Sequence, residues 1–432
     1  MASPAAPERI HQMKQSTRRE FLGAAGLTAG ALLTPPALLR AAAAPASRVA
    51  IGLCQEYDSK VTDTLAKIFD QLGGLEKLVR NKTVAIKINL TGGPTQKLNG
   101  LPVEMTTWAH PTVIGATIAL MGKAGAKRVR LLESHTAGTD SLESFMASAN
   151  WNVQQLATAA RVVEFENTNW LGGHKEYARF MVPGSPMMYA GYDVNPSYRD
   201  CDVMVSMAKL KNHRVAGITL SMKNMFGILP TTIYGQNAPV DEPSPTILPG
   251  NRAAMGHMGM RVPPKSAPPA IDVTSHEPGY RMPHVVPELV AARPIHIAII
   301  DGIYSMEGGE LPSGGQRPQQ ANAGAGAGAP RPGAGQPGGF TPSAQPVSKA
   351  LHPGVLIAGF NPACTDAVAT AVMGFDPMAE RGQPPFETAD NMLAYAEKIG
   401  IGTRDLNRIE VVGTPIAKAR YPYHSPKQLT PA

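Results

Sequence analysis

Short, continuous apolar runs set the strongest limit on what this chain can fold into. Val49-Ala-Ile-Gly-Leu53 and Val84-Ala-Ile-Lys-Ile-Asn-Leu90 lack the polar alternation of a half-wet strand. They read as strands covered on both faces, the habit of parallel sheets that lie between helices. A helical stretch at Lys60 to Leu72 separates them. After His110-Pro111, residues Val113, Ile114, Thr117, Ile118 and Met121 share one helical face, which Gly122 and Gly125 close. Further strands are expected at 129–132, 162–165, 203–205, 295–300, 355–358 and 409–412, and further helices at 282–292, 365–373 and 388–399. This order predicts an α/β fold, a mostly parallel sheet flanked by helices, without an internal repeat.

The N-terminal stretch carries an address. Ser16-Thr17-Arg18-Arg19-Glu20-Phe21-Leu22 is a twin-arginine signature, followed by a weakly apolar, Gly/Ala-rich stretch and an alanine run. Residues 1–44 are therefore expected to be a signal peptide that engages the twin-arginine export machinery, is removed near Ala44 or Ala46, and leaves a periplasmic or otherwise exported product. Pro35 and Pro36 fall within the stretch, which is short against the roughly 20 apolar residues a membrane anchor needs. No later segment is long and apolar enough, so no span is expected in the mature chain.

The 43 Gly and 40 Pro of the 432 residues gather in two insertions. Residues 312–348 hold almost no large apolar side chains and cannot offset their ordering entropy, so a disordered Gly/Ala/Pro insertion is expected. Residues 232–278 are Pro-rich but carry Ile247, Leu248, Met255, His257, Met258 and Met260, which suits either a lid over the body or a passive surface loop. The net charge of +7 comes partly from the leader, and no Lys/Arg block with interleaved aromatics points to a nucleic-acid partner. Cys54, Cys201 and Cys364 are too few and too scattered for a disulfide framework or an iron–sulfur cluster. The fingerprints of zinc enzymes, Walker loops, dinucleotide sites and the Gly-x-Ser-x-Gly elbow are absent.

Polar residues collect at the ends of the expected strands. Lys87 and Asn89 interrupt one run near its carboxyl end, Glu133 follows the next, Lys209 and Lys211 follow another, and Asp301 closes 295–300. Within 204–230, Lys209, Lys211, His213, Arg214, Lys223 and Asn224 lie close together. Strand ends are where α/β proteins place ligands, and a buried lysine needs a compensating anion or reaction.

The same stretches carry a resemblance. Lys87-Ile-Asn89-Leu, Thr106 to Pro111 with its helix, Ala124-Gly-Ala-Lys-Arg-Val, Lys209-Leu-Lys211-Asn-His213 with Thr219 to Gly227, Ile300-Asp301-Gly302-Ile-Tyr-Ser-Met-Glu307-Gly308, and Asn361-Pro362-Ala-Cys-Thr-Asp366-Ala-Val-Ala occur in one order. In that order the chain resembles the domain of unknown function 362 family from about Val49 to Val412. The resemblance implies one family domain over 45–430, insertions included, and a shared polar site with no assigned reaction. Many members carry ferredoxin-type cysteine motifs. This chain lacks them, so no iron–sulfur cluster is expected.

Chemistry assigns the candidate roles. Lys209, Lys211 and Lys223 suit carboxylate or phosphate oxygens as point charges, with Asn89 and Asn224 adding neutral donors. Lys87 is a clamp, a base, or one half of a structural bridge to Glu133 or Asp301. His213 and His110 are proton carriers, metal ligands or structural histidines. Lys87, His213 and Asp301 form the candidate catalytic set, while His110, Glu133, Glu307 and Asp366 form the candidate set for a divalent metal. Asp366 also suits the first turn of a helix with no chemical role, and Cys364 is either an activated thiol or a packing residue. The expected partner is an anionic small molecule or a metal cofactor, with proton or group transfer as the reaction. A non-catalytic ligand-binding or assembly factor is the alternative.

Overall fold

The computed structural model of the protein describes residues 43–135, 141–235, 277–312 and 347–430. In chain order the strands are β1 (Val49–Leu53), β2 (Thr83–Lys87), β3 (Lys97–Leu98), β4 (Leu101–Pro102), β5 (Arg128–Glu133), β6 (Val163–Asn167), β7 (Ala178–Met181), β8 (Gly191–Val194), β9 (Val203–His213), β10 (Gly217–Thr219), β11 (Ile297–Glu307), β12 (Lys349–Leu351), β13 (Val355–Gly359) and β14 (Val411–Gly413). The main sheet has the order β14-β1-β13-β11-β9-β2-β5-β6, with β10 added to β9 and β12 to β11. Every neighbour along that order is parallel except β13, which runs against both β1 and β11. The reversal follows from β12 and β13, which return along β11 one after the other.

Successive residues of a strand point to opposite faces, and both faces here are covered. Val84, Ile86, Val203, Val205, Met207, Ile297 and Ile299 face one apolar cluster. The helix Lys60–Gln71 supplies Val61, Leu65, Ile68 and Phe69 to it at helical spacing. The helix Pro111–Lys123 joins the same cluster, with Pro111 in its first turn and the His110 side chain capping the Thr112 N–H. Ala85, Met204, Ala298 and Ile300 face the other cluster, with the helices Pro278–Ala292 and Pro362–Val372.

Two expected strand ends are corrected. β9 runs on to His213 and β11 to Glu307, so Lys209, Lys211 and Asp301 lie within strands rather than after them. Polar residues broke the apolar pattern at 205 and 300, yet Asp301 stands opposite Lys209 in register and the ladder continues through the pair. The helix expected over 388–399 spans Met392–Lys398, because the Asn391 side chain caps it. The β7–β8 hairpin had no recognised signal. Within the expected 232–278 insertion, 232–234 belong to the buried helix Thr231–Tyr234, which Gly235 follows; 236–276, the interior of the 312–348 insertion (313–346) and the leader over 1–42 lie outside the described residues. No described helix is long and apolar enough to cross a membrane.

Candidate functional site

Lys87 and Glu133 end neighbouring parallel strands, and the lysine is 1% exposed. Its ammonium lies 2.8 Å from both Glu133 oxygens, 2.6 Å from the Ile88 carbonyl and 3.2 Å from Asn224 Oδ1. The Leu90 N–H also donates to Glu133. Asn224 donates from Nδ2 to the Lys87 carbonyl and to Ser206 Oγ, and accepts from Asn89 Nδ2. Gly227 is required beside this group, since a Cβ there would stand 2.6 Å from the Lys87 nitrogen. Of the two bridges considered for Lys87, the Glu133 bridge is the one formed.

Lys209 and Asp301 make a second buried pair, on the opposite face of the sheet by strand alternation. Both side chains are fully buried, 3.0 Å apart. Lys209 also donates to Tyr57 Oη at 2.7 Å and to the Glu104 carbonyl at 3.0 Å. Asp301 accepts from Tyr57 Oη, His110 N and Ile303 N, so its oxygens are taken up by the protein. The His110 ring stacks on Tyr57 with centroids 3.5 Å apart, and its Nδ1 accepts from Thr112 N. Burial, aided by Lys209, pushes the His110 pKa down to about 3, which keeps the imidazole neutral. Tyr57, in the loop after β1 and so three strands away from β9 in the sheet, carried no sequence signal for this role.

The third group gathers at the far end of β9. Lys211 is fully buried and donates to the carbonyls of Thr107 and Glu310, each at 3.1 Å. It forms no ion pair among the described residues. Desolvation, with help from Lys223 and Lys209, brings its pKa down to about 7, against an opposing pull from Glu310. His213 is 1% exposed; its Nδ1 accepts from Val215 N, and Nε2 lies 3.8 Å from Glu310. Desolvation and the Lys223 and Lys211 charges hold His213 well below its ordinary pKa. The Lys223 ammonium sits 4.9 Å from the centre of the Phe226 ring. Thr219 stands opposite Lys211 in the β9–β10 pairing, and its buried hydroxyl has no hydrogen-bond partner among the described residues. Sequence reasoning gave Thr219 no role, because a threonine on a strand is ordinary packing.

The remaining candidates lie elsewhere. Glu307 is 1% exposed and holds His424, accepting from its backbone N–H at 2.7 Å and meeting Nδ1 at 3.1 Å. Asp366 accepts from Ser221 N, Ser221 Oγ and Met222 N, and burial pushes its pKa up to about 7. The four expected metal ligands are thus held apart: Glu133 on Lys87, Glu307 on His424, Asp366 on Ser221, and His110 at a helix cap. Among the described residues no three His, Cys, Asp or Glu side chains group as a metal site. The expected catalytic set is likewise dispersed over the three groups. Cys364 is buried and its thiol pKa is raised by desolvation, which fits a packing residue.

Apart from Tyr57, these three groups fall inside a stretch that other proteins share. The family described as Domain of unknown function (DUF362) matches residues 84–329. The chain belongs to the DUF362 family. The match is narrower than the resemblance read from about Val49 to Val412: it includes Lys87, Glu133, Lys209, Lys211, Thr219, Lys223 and Asp301, whereas Tyr57 and Asp366 lie outside it. A comparison with curated proteins finds no match. Among solved structures, the crystal structure of a protein from Thermotoga maritima is 14% identical, with 57% of this chain and 50% of that chain covered and a TM-score of 0.28. The DUF362 chain thus spans half of that protein, a likeness too slight to bear on fold or function.

Proposed function

We propose that this DUF362 protein binds a small anion at the end of β9, with Lys211 as the primary contact and Lys223 and His213 beside it. The observation that supports this reading is the difference between the three lysines that are 0–1% exposed. Lys87 and Lys209 each have a carboxylate partner, Glu133 and Asp301, whereas Lys211 has two backbone carbonyls. Glu310 acts on Lys211 as a charge but makes no ion pair with it among the described residues; a buried ammonium without a contacting carboxylate costs several kcal/mol, and an anion that meets its remaining N–H would offset that cost. With a pKa near 7, Lys211 can also take or give a proton at neutral pH, which provides for proton transfer to a bound molecule.

The test is thermal unfolding of the full chain with phosphate, sulfate, citrate or succinate. At least one anion is expected to raise the Tm of the wild type and not of Lys211→Met. Equal shifts in both, or no shift with any anion, would overturn the reading. Export is proposed on the twin-arginine signature alone: replacing Arg18 and Arg19 together by lysine is expected to retain the protein in the cytoplasm, and unchanged fractionation would refute it.

A further inference from the structure

One residue reaches both Lys211 and His213, and it carries a negative charge of its own. The two are two positions apart on β9 and so share a face of the sheet. The Glu310 carbonyl accepts from Lys211 at 3.1 Å, and the Glu310 carboxylate lies 3.8 Å from His213 Nε2. The second distance is longer than a hydrogen bond. Desolvation lowers the Lys211 pKa and the Glu310 charge pulls it back up, so the two attract without an ion pair among the described residues. The Glu310 side chain is 26% exposed, whereas the two groups it reaches are buried. Its neighbours are fastened on both sides. The Gly308 N–H donates to Asn212 Oδ1 at 3.0 Å, and a Cβ on Gly308 would stand 2.8 Å from Ser348 Cα. On the other side Leu311 packs on Gly92, where a Cβ would stand 2.6 Å from Leu311 Cδ2. Gly309, between them, has a φ of +141° that side chains rarely adopt, and a Cβ there would meet nothing nearer than the Leu311 carbonyl at 3.9 Å. The backbone can turn at Gly309 and carry Glu310 with it while 308 and 311 stay in place.

Resting on the anion site of the preceding section, we propose that Glu310 is a built-in competitor for that site: it covers Lys211 and His213 until an anion displaces it by a turn of the backbone at Gly309. Displacement gives the anion the Lys211 N–H that the Glu310 carbonyl had accepted, so a full negative charge replaces a partial one. His213 Nδ1 accepts from Val215 N, which puts the proton of the neutral ring on Nε2, the atom that faces Glu310. An anion there can come within the hydrogen-bond distance that Glu310 does not reach. Between binding events the internal carboxylate offsets part of the cost of the buried lysine. The same charge lowers the affinity for every incoming anion, so only one that gains more than Glu310 gives up is retained.

Calorimetric titration of the full chain with sulfate, at constant ionic strength, tests this in the wild type, Glu310→Gln, Glu310→Ala and Lys211→Met. Glutamine keeps the shape of the side chain and the main-chain carbonyl and removes only the charge. Glu310→Gln is expected to bind sulfate about tenfold to hundredfold more tightly than the wild type, Glu310→Ala to follow it, and Lys211→Met to lose binding. In the wild type, sulfate is expected to speed amide hydrogen exchange over 308–311, which a merely structural glutamate would not allow. If both Glu310 variants bind sulfate no more tightly than the wild type while Lys211→Met does not bind, Glu310 is no competitor and the anion site stands. Exchange over 308–311 that sulfate leaves unchanged or slows would place the anion beside Glu310 rather than in its stead, and displacement is then wrong. Sulfate binding by neither the wild type nor the Glu310 variants would remove the anion site and its competitor together.

Discussion

At the scale of single residues, the three most deeply buried lysines, Lys87, Lys209 and Lys211, make different predictions. Removing one member of a buried pair leaves an uncompensated charge, so Lys87→Met and Lys209→Met are each expected to destabilise the protein by about 3–5 kcal/mol in denaturant unfolding. Lys211→Met removes a charge that makes no ion pair among the described residues but also the donor to the Thr107 and Glu310 carbonyls, so the same experiment should find a smaller loss than for either of the other two. A loss comparable to the other two would mean that Lys211 is a structural residue. Part of this was legible in sequence: Lys87 and Glu133 end strands that pair directly, and their bridge was one of two anticipated. Tyr57 was not legible, because the loop after β1 reaches Asp301 only once β1 has taken its place in the sheet.

At the scale of elements, the contrast between Lys209 and Lys211 comes from the register of β11. The two lysines are two residues apart on one strand and look equivalent in sequence. Asp301 stands opposite Lys209, but the register then shifts and Met306 stands opposite Lys211. β11 therefore advances five residues where β9 advances two, and no acid of β11 reaches the second lysine's register position. An irregularity of this kind leaves no periodic trace, which is why the apolar runs located the strands but not their full lengths. Another unforeseen element contact joins the β7–β8 hairpin to the helix Pro278–Ala292. Glu288, fully buried, accepts from the backbone N–H groups of Met187, Met188 and Tyr189 and from the hydroxyls of Tyr192 and Tyr395. Glu288→Gln turns one acceptor oxygen into a donor facing donors. The expected cost is about 2–4 kcal/mol of unfolding free energy, together with faster amide exchange over 182–190, and a change below about 1 kcal/mol would show that the hairpin is held by its apolar contacts instead.

At the scale of the whole molecule, two buried groups on different elements give stability opposite slopes in pH. Asp366 has its pKa raised from 3.8 to about 7 by burial. Between those values the native state holds a proton that the unfolded chain has released, so stability falls as pH rises from about 4 to 7. Lys211 has its pKa lowered from 10.5 to about 7. Below pH 7 it is charged in both states; from about 7 to 10.5 the unfolded chain holds the proton and the native state does not, so stability rises with pH. Each slope amounts to a few kcal/mol at most, and together they place a minimum near pH 7. Differences between wild type and variant isolate each term: Asp366→Asn should flatten the acid limb and Lys211→Met the alkaline limb, each leaving the other in place. A bound anion favours the charged form of Lys211, so saturating sulfate, whose own charge does not change over this range, should stabilise the protein most below pH 7 and progressively less above it. A sulfate effect that grew between pH 7 and 10 would contradict a lysine contact, since that is where the ammonium is being lost.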